Sequence, residues 1–149
     1  MANTANSIIS AQAAVLKHCN LTALSACTTR APTATASLAA ANIVLALPAN
    51  ATADQKISKI SVKGASSSIT AATAGNIVGI WHWDGTTAWL IDEILVTVVS
   101  PTATVASFEG NNVYDDLTVP ATHELYMSVT VTTTSSTTAL IATVHGASL

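Results

Sequence analysis

From residue 37 onward, short apolar runs alternate with clusters of turn-forming residues, and no run has the spacing of a long amphipathic helix. The dominant period is two. In 123–131, "HELYMSVTV", His123, Leu125, Met127, Val129 and Val131 fall on one side of an extended chain. Glu124, Tyr126, Ser128 and Thr130 fall on the other. That is the pattern of a strand with one face in a core and the other toward water or a partner. Further strands are predicted over 38–47, 55–63, 76–83, 86–99, 103–109 and 138–145. The intervening breaks are "PANATAD", "GASSSITAATAG", "DG", "SPTAT", "EGNN", "DDLTVPATHE" and "TTTSST". About seven or eight short strands with turn signals between them predict an all-β chain, an antiparallel β-sandwich or jelly roll over 37–149.

Residues 1–36 are small and polar with weak periodicity. "SAQAAVLKHCNLTALSACTT" fits either a short helix, with Ala14, Leu16, Leu21 and Leu24 as apolar anchors, or an extended arm. "RAPTATAS" follows as a linker, where Pro32 interrupts regular structure. The start, "MANTANSIISAQAAV", lacks the charged region and apolar run of a signal peptide. No uninterrupted apolar window reaches the ~18 residues of a membrane-spanning helix.

All three tryptophans lie in 79–94, "GIWHWDGTTAWLIDEI". Asp84-Gly85 predicts a hairpin, because glycine reaches the positive φ of a tight turn at little cost. The loop is either two residues or the four of "DGTT". In both registers Trp81, Trp83, Ala88 and Leu90 share one face, and Ile80, His82, Trp89 and Ile91 share the other. The first face continues into Ile94, Val96 and Val98 and reads as core, with Trp83 at its edge. The second is an apolar patch that needs a cover. The N-terminal arm, a second sheet or loop, a second copy or another protein could supply it. Ile80, His82, Trp89 and Ile91 are therefore the candidate protein–protein interface, Trp89 being the type of residue that anchors one.

Half of the 149 residues are hydrophobic, yet only 9% are charged, against about a quarter in an average soluble domain. So neutral a surface suits a protein that works within an assembly; a small domain solvated by hydroxyls is the alternative. The net charge is −3. Arg30 is the lone arginine, and Lys17, Lys56, Lys59 and Lys63 form no patch interleaved with aromatics, which argues against nucleic acid as a partner.

Catalytic chemistry is hard to assemble from these residues. Asp92 and Glu93 alternate across one strand and cannot act together as a glycosidase pair. "EGNNVYDD" offers oxygens around Asn111, Asn112, Asp115 and Asp116 but matches no calcium loop. Cys19 and Cys27 read as free thiols, and His18 beside Cys19 lacks a nearby second ligand pair for a metal. No serine sits in a Gly-x-Ser-x-Gly elbow, and no glycine loop for phosphate is present. The expectation is a non-enzymatic chain with no cofactor and no metal.

The order of motifs over roughly residues 55–146 carries a resemblance. "WDGTT" between apolar strands, then "LIDEI", "TVASFEG", "TVPATHELYMSVT" and a last strand ending in "ATVHG" resemble small β-rich virion proteins of tailed bacteriophages, the capsid decoration or cement proteins. Thr122-His123 stands where such chains more often have glycine. The resemblance implies a structural protein on the outer surface of an icosahedral head. It would be made in the host cytoplasm, be bound to the major capsid protein, and often be arranged as a homotrimer. A receptor- or carbohydrate-binding module of a head fibre or tail, with Trp81 and Trp83 exposed, and a tail or connector component are the rival expectations.

Overall fold

The structure, a computed structural model, describes residues 14–33, 42–66, 76–101, 106–131 and 138–149. Every regular element among them is a strand: β1 (Val15–Asn20), β2 (Ile43–Leu47), β3 (Gln55–Ser66), β4 (Ile77–Trp83), β5 (Ala88–Leu95), β6 (Thr97–Pro101), β7 (Ala106–Val119), β8 (Glu124–Val129) and β9 (Thr138–Ser148). Two antiparallel sheets form, ordered β1-β9-β3-β7-β6 and β2-β8-β4-β5. With β6 set aside as an added edge strand, the order β1-β9-β3-β7 against β2-β8-β4-β5 is that of an eight-stranded jelly roll. Pro101 ends β6 on the sheet edge, where a missing N–H costs no ladder bond.

The period-two residues build the interior. Leu125, Met127 and Val129 of β8, Val78 and Ile80 of β4, and Ile94 of β5 face Ile57, Ile60 and Val62 of β3 and Leu140, Ala142 and Val144 of β9, all buried. Asn76 starts β4 from a fully buried position. Its Oδ1 accepts the amides of Thr130 and Val131 at 3.0 and 3.1 Å, and its Nδ2 donates to the Val131 carbonyl at 3.1 Å. A buried amide is tolerated when its donors and acceptors are filled in this way.

Several predicted boundaries move. The strand expected over 86–99 ends at Leu95; the chain crosses at buried Val96 into the other sheet as β6. "EGNN" does not break the chain, because β7 runs through it, paired to β3 from Gly110↔Val62 to Asn112↔Ile60. Tertiary pairing there overrides the turn preference of Gly and Asn. The loop expected from Asp115 shrinks to one turn, Pro120 to His123, closed by the His123 N–H donating to the Pro120 carbonyl at 3.1 Å. Thr122 holds φ +70° in it, a conformation that favours glycine. The "TTTSST" connection and most of "GASSSITAATAG" lie outside the described residues.

Of the two forms open to the N-terminal region, the extended one is found where it is described. Residues 15–20 form β1 on the edge of the five-stranded sheet, so the sandwich begins before residue 37. The chain then runs as a strap across the outer face of the four-stranded sheet. The Leu21 amide still donates to the carbonyl of Leu140 in β9, and Leu21 and Leu24 are buried in the main core; beyond them the Cys27 amide donates to the Val129 carbonyl, and Thr33 exchanges both backbone bonds with Ala88. Arg30 Nε meets Glu93 Oε1 at 2.6 Å on the way.

Candidate interaction surface

The loop between β4 and β5 has four residues, and Trp83 pairs with Ala88. Gly85 takes φ +99°. Asp84 Oδ1 accepts the amides of Thr86 and Thr87 at 2.9 and 2.8 Å. The Thr87 and Thr86 amides, with the Trp89 indole, hold the Asp84 carboxyl down to about 2. That indole donates through Nε1 to Asp84 Oδ2 at 3.2 Å, so the ring of Trp89 is tied to the turn although it is 46% exposed.

Strict alternation fails further along β5. Trp81 pairs with Leu90, but Ile80 pairs with Asp92, which leaves Ile91 as an extra residue in a β-bulge. The bulge reverses the faces of the second half of the strand. Leu90 therefore lies on the outer face with Trp81, whereas Ile94 points into the sandwich with Val78. Trp81 is fully buried, as expected, but outside the main core. It packs with Cys27 and Ala88, flanked by Ile43, Trp83, Leu90 and Tyr126. The strap forms the lid of this second cluster. Trp81 Nε1 donates to Ser128 Oγ at 2.9 Å. Gly79 makes room for it, since a Cβ there would stand 2.8 Å from Ser128 Oγ and 3.3 Å from Trp81 Nε1.

The four candidate interface residues separate accordingly. Ile80 is fully buried in the main core and cannot belong to an exposed patch; the face read as outward is the one turned to the other sheet. His82 is half-buried at the hairpin end of that face, its Nε2 2.8 Å from His123 Nδ1. Burial, then the neighbouring His123, lower its pKa from the ordinary 6.5, with Asp84 opposing. Trp89 and Ile91, 46% and 39% exposed, do reach the surface.

The sequence reading missed the residues across from them. Val113 of β7 is 70% exposed, and with Ile91 and Leu117 it forms the apolar part of an open groove of about 340 Å³, completed by Asp92, Tyr114, Asp115 and Asp116. Asp92 Oδ2 accepts from the Tyr114 hydroxyl at 2.6 Å and from Asn112 Nδ2 at 2.7 Å. This fastens β5 to β7 along the floor. Glu93 points away to Arg30, so the two neighbouring acids serve different structures. Asp115 and Asp116 are exposed where β7 carries extra residues between Val113 and Leu117 opposite β3. The turn-like "EGNN" hides the strand that carries Val113, because its place in β7 is set by pairing with β3.

Cys19 and Cys27 are free, buried and in separate apolar clusters. Burial pushes the Cys19 thiol up to about 11 against the pull of Lys17, so it is a poor nucleophile at neutral pH. Among the described residues no three His, Cys, Asp or Glu side chains are grouped to hold a metal ion. No protein-family model matches the chain and no curated protein matches it, so the reading of this flank rests on its own residues.

Proposed function

We propose that the protein is a structural virion component, a decoration protein that binds the outer surface of an icosahedral phage head and braces neighbouring copies of the major capsid protein. The observation that carries the proposal is a set of exposed apolar side chains, Trp89 at the hairpin and Ile91 with Val113 in the groove, in a sandwich where Trp81 has its own lid. An anchor ring held in place by its own turn loses little side-chain freedom on docking, which favours affinity. The acidic rim of Asp115 and Asp116 suits a partner surface that offers basic or N–H groups around an apolar spot. Low surface charge and the likeness of "WDGTT…LIDEI…TVPATHELYMSVT" to decoration proteins support the same reading. Weak contacts repeated over a shell add up through multivalency, and trimers at threefold positions are the arrangement that the likeness implies.

The carbohydrate-binding reading needed Trp81 and Trp83 side by side at the surface, and Trp81 offers no ring to a sugar. The test is loading onto heads. The protein is expected to copurify with capsids, and heads lacking it to lose heat resistance. The double variant Trp89→Ser/Val113→Asp is expected to stay folded and fail to load. Its loading at the wild-type level, or absence of the protein from purified heads, would overturn the proposal.

A further inference from the structure

The imidazoles of His82 and His123, 41 residues apart in sequence, meet with Nε2 and Nδ1 at 2.8 Å, ring centroids at 4.9 Å and planes at 37°. Each ring is placed by independent backbone. His82 sits in the middle of its sheet, paired to Leu125 on one side and Trp89 on the other. His123 closes the turn that begins at Pro120. The Ala121 amide is pinned to Asp54 Oδ1 at 2.8 Å and the Thr122 amide to the Asn50 carbonyl at 2.9 Å. That turn keeps a β-branched residue at φ +70°, an uncommon and costly conformation, and its outcome is to bring the second ring onto the first.

We propose that His82 and His123 form a two-histidine site for a divalent transition metal of the imidazole-preferring class, zinc, nickel or copper. Nitrogens bound at about 2.0–2.1 Å in neighbouring positions of a square-planar or octahedral shell are roughly 2.9 Å apart; a tetrahedral shell needs roughly 3.3 Å. The observed 2.8 Å matches the nitrogen spacing of the first geometry once both rings turn their lone pairs from each other onto a shared ion, and zinc needs a further opening of about half an ångström. For both facing nitrogens to offer lone pairs, the ring that now donates moves its proton to its other nitrogen. Both rings then bind neutral, with no net proton released.

Asp84 is committed elsewhere, with two amides on Oδ1 and the Trp89 indole on Oδ2, and no third ligand group stands beside the pair among the described residues. Water completes the shell, so the site binds more weakly than one with three or four protein ligands. The inference is independent of the decoration reading. Its use would be to tie the turn before β8 to the end of β4 at the same end of the sandwich as Trp89.

The test is calorimetric titration of the full, untagged chain with nickel or zinc ions alone at neutral pH. Saturable binding of one ion per chain is expected, weakened by at least roughly tenfold in His82→Gln and in His123→Asn and unchanged in His145→Asn on the other sheet. NMR of the imidazoles of the unaltered chain gives a readout that needs no variant: of the four histidines, only two should shift on adding zinc, and they should be His82 and His123. Absence of saturable binding below millimolar metal, unchanged binding in both variants, or shifts at His18 and His145 instead would overturn the proposal.

Discussion

Trp81 and Trp89 occupy the same hairpin eight residues apart, and their fates are opposite. Trp81 is fully buried beneath the strap, its Nε1 bonded to buried Ser128. Trp89 is nearly half exposed, its Nε1 bonded to Asp84 in an open turn. Both indoles have a polar partner, so hydrogen bonding does not distinguish them; cover does. The chain spends its segment from Cys27 to Thr33 on one apolar cluster, and Trp89 has no such lid among the described residues. The same hairpin thus holds one ring lidded by the chain and one tethered but open, and the proposed docking role rests on that second ring.

The largest test of that contrast is truncation of the covered ring. Trp81→Ala should cost ~3–5 kcal/mol, the usual toll of emptying a buried aromatic site, and should also leave the Ser128 hydroxyl without its donor. Denaturant unfolding measures it. A loss below about 1 kcal/mol would mean that the strap does not seal the cluster, and the contrast with Trp89 would collapse.

Much of this architecture is legible in the sequence. Period-two alternation in Leu125, Met127 and Val129 gives β8 its inner face, and Asp84-Gly85 gives the hairpin its place, because both signals are local. What escapes is non-local or one residue wide. Nothing near Ile91 announces a bulge, yet that one extra residue of β5 puts Leu90 and Ile94 on opposite faces, so that Ile94 joins Val78 and Ile80 in the core instead of continuing the face of Trp81. "EGNN" reads as a break until β3 lies beside it. The segment before Pro32 has no strong period because its apolar anchors serve two different clusters, Cys19, Leu21 and Leu24 in the main core and Cys27 against Trp81, while backbone bonds to Val129 and Ala88 hold the rest. His82 and His123 meet only because β4 and β8 are neighbours.

A smaller effect should come from the clamp beneath the open flank. Burial pushes the Asp92 carboxyl up, but hydrogen bonds from Tyr114, Asn112 and the Glu93 amide together outweigh it and leave the pKa below the ordinary 3.8. A carboxyl lowered on folding adds stability that is fully present above 3.8 and is lost as pH falls through the lower folded value. Asp92→Asn should therefore cost about 1–2 kcal/mol at neutral pH, discounted for the partial exposure of the site. The gap to wild type should close in strong acid. Melting temperatures of both proteins across the acid range check the sign. A gap independent of pH would place the clamp's contribution in packing rather than in charge.

The smallest effect on stability, and the sharpest on the contrast itself, belongs to Trp89. Replacing it by phenylalanine should change unfolding free energy by no more than about 0.5 kcal/mol, because a ring this exposed buries little on folding. Its fluorescence, however, should dominate quenching by a neutral solute such as acrylamide. Trp81 is out of the quencher's reach, and Trp83 is half-buried beside the strap. Trp89→Phe should remove most of the quenchable emission and leave a protein whose remaining fluorescence resists the quencher. On binding a partner through this flank, the wild-type protein should lose quenchability in the same way. If the quenchable component survives in Trp89→Phe and vanishes in Trp81→Phe, the covered and uncovered rings have been assigned in reverse, and the flank loses its claim as a docking surface.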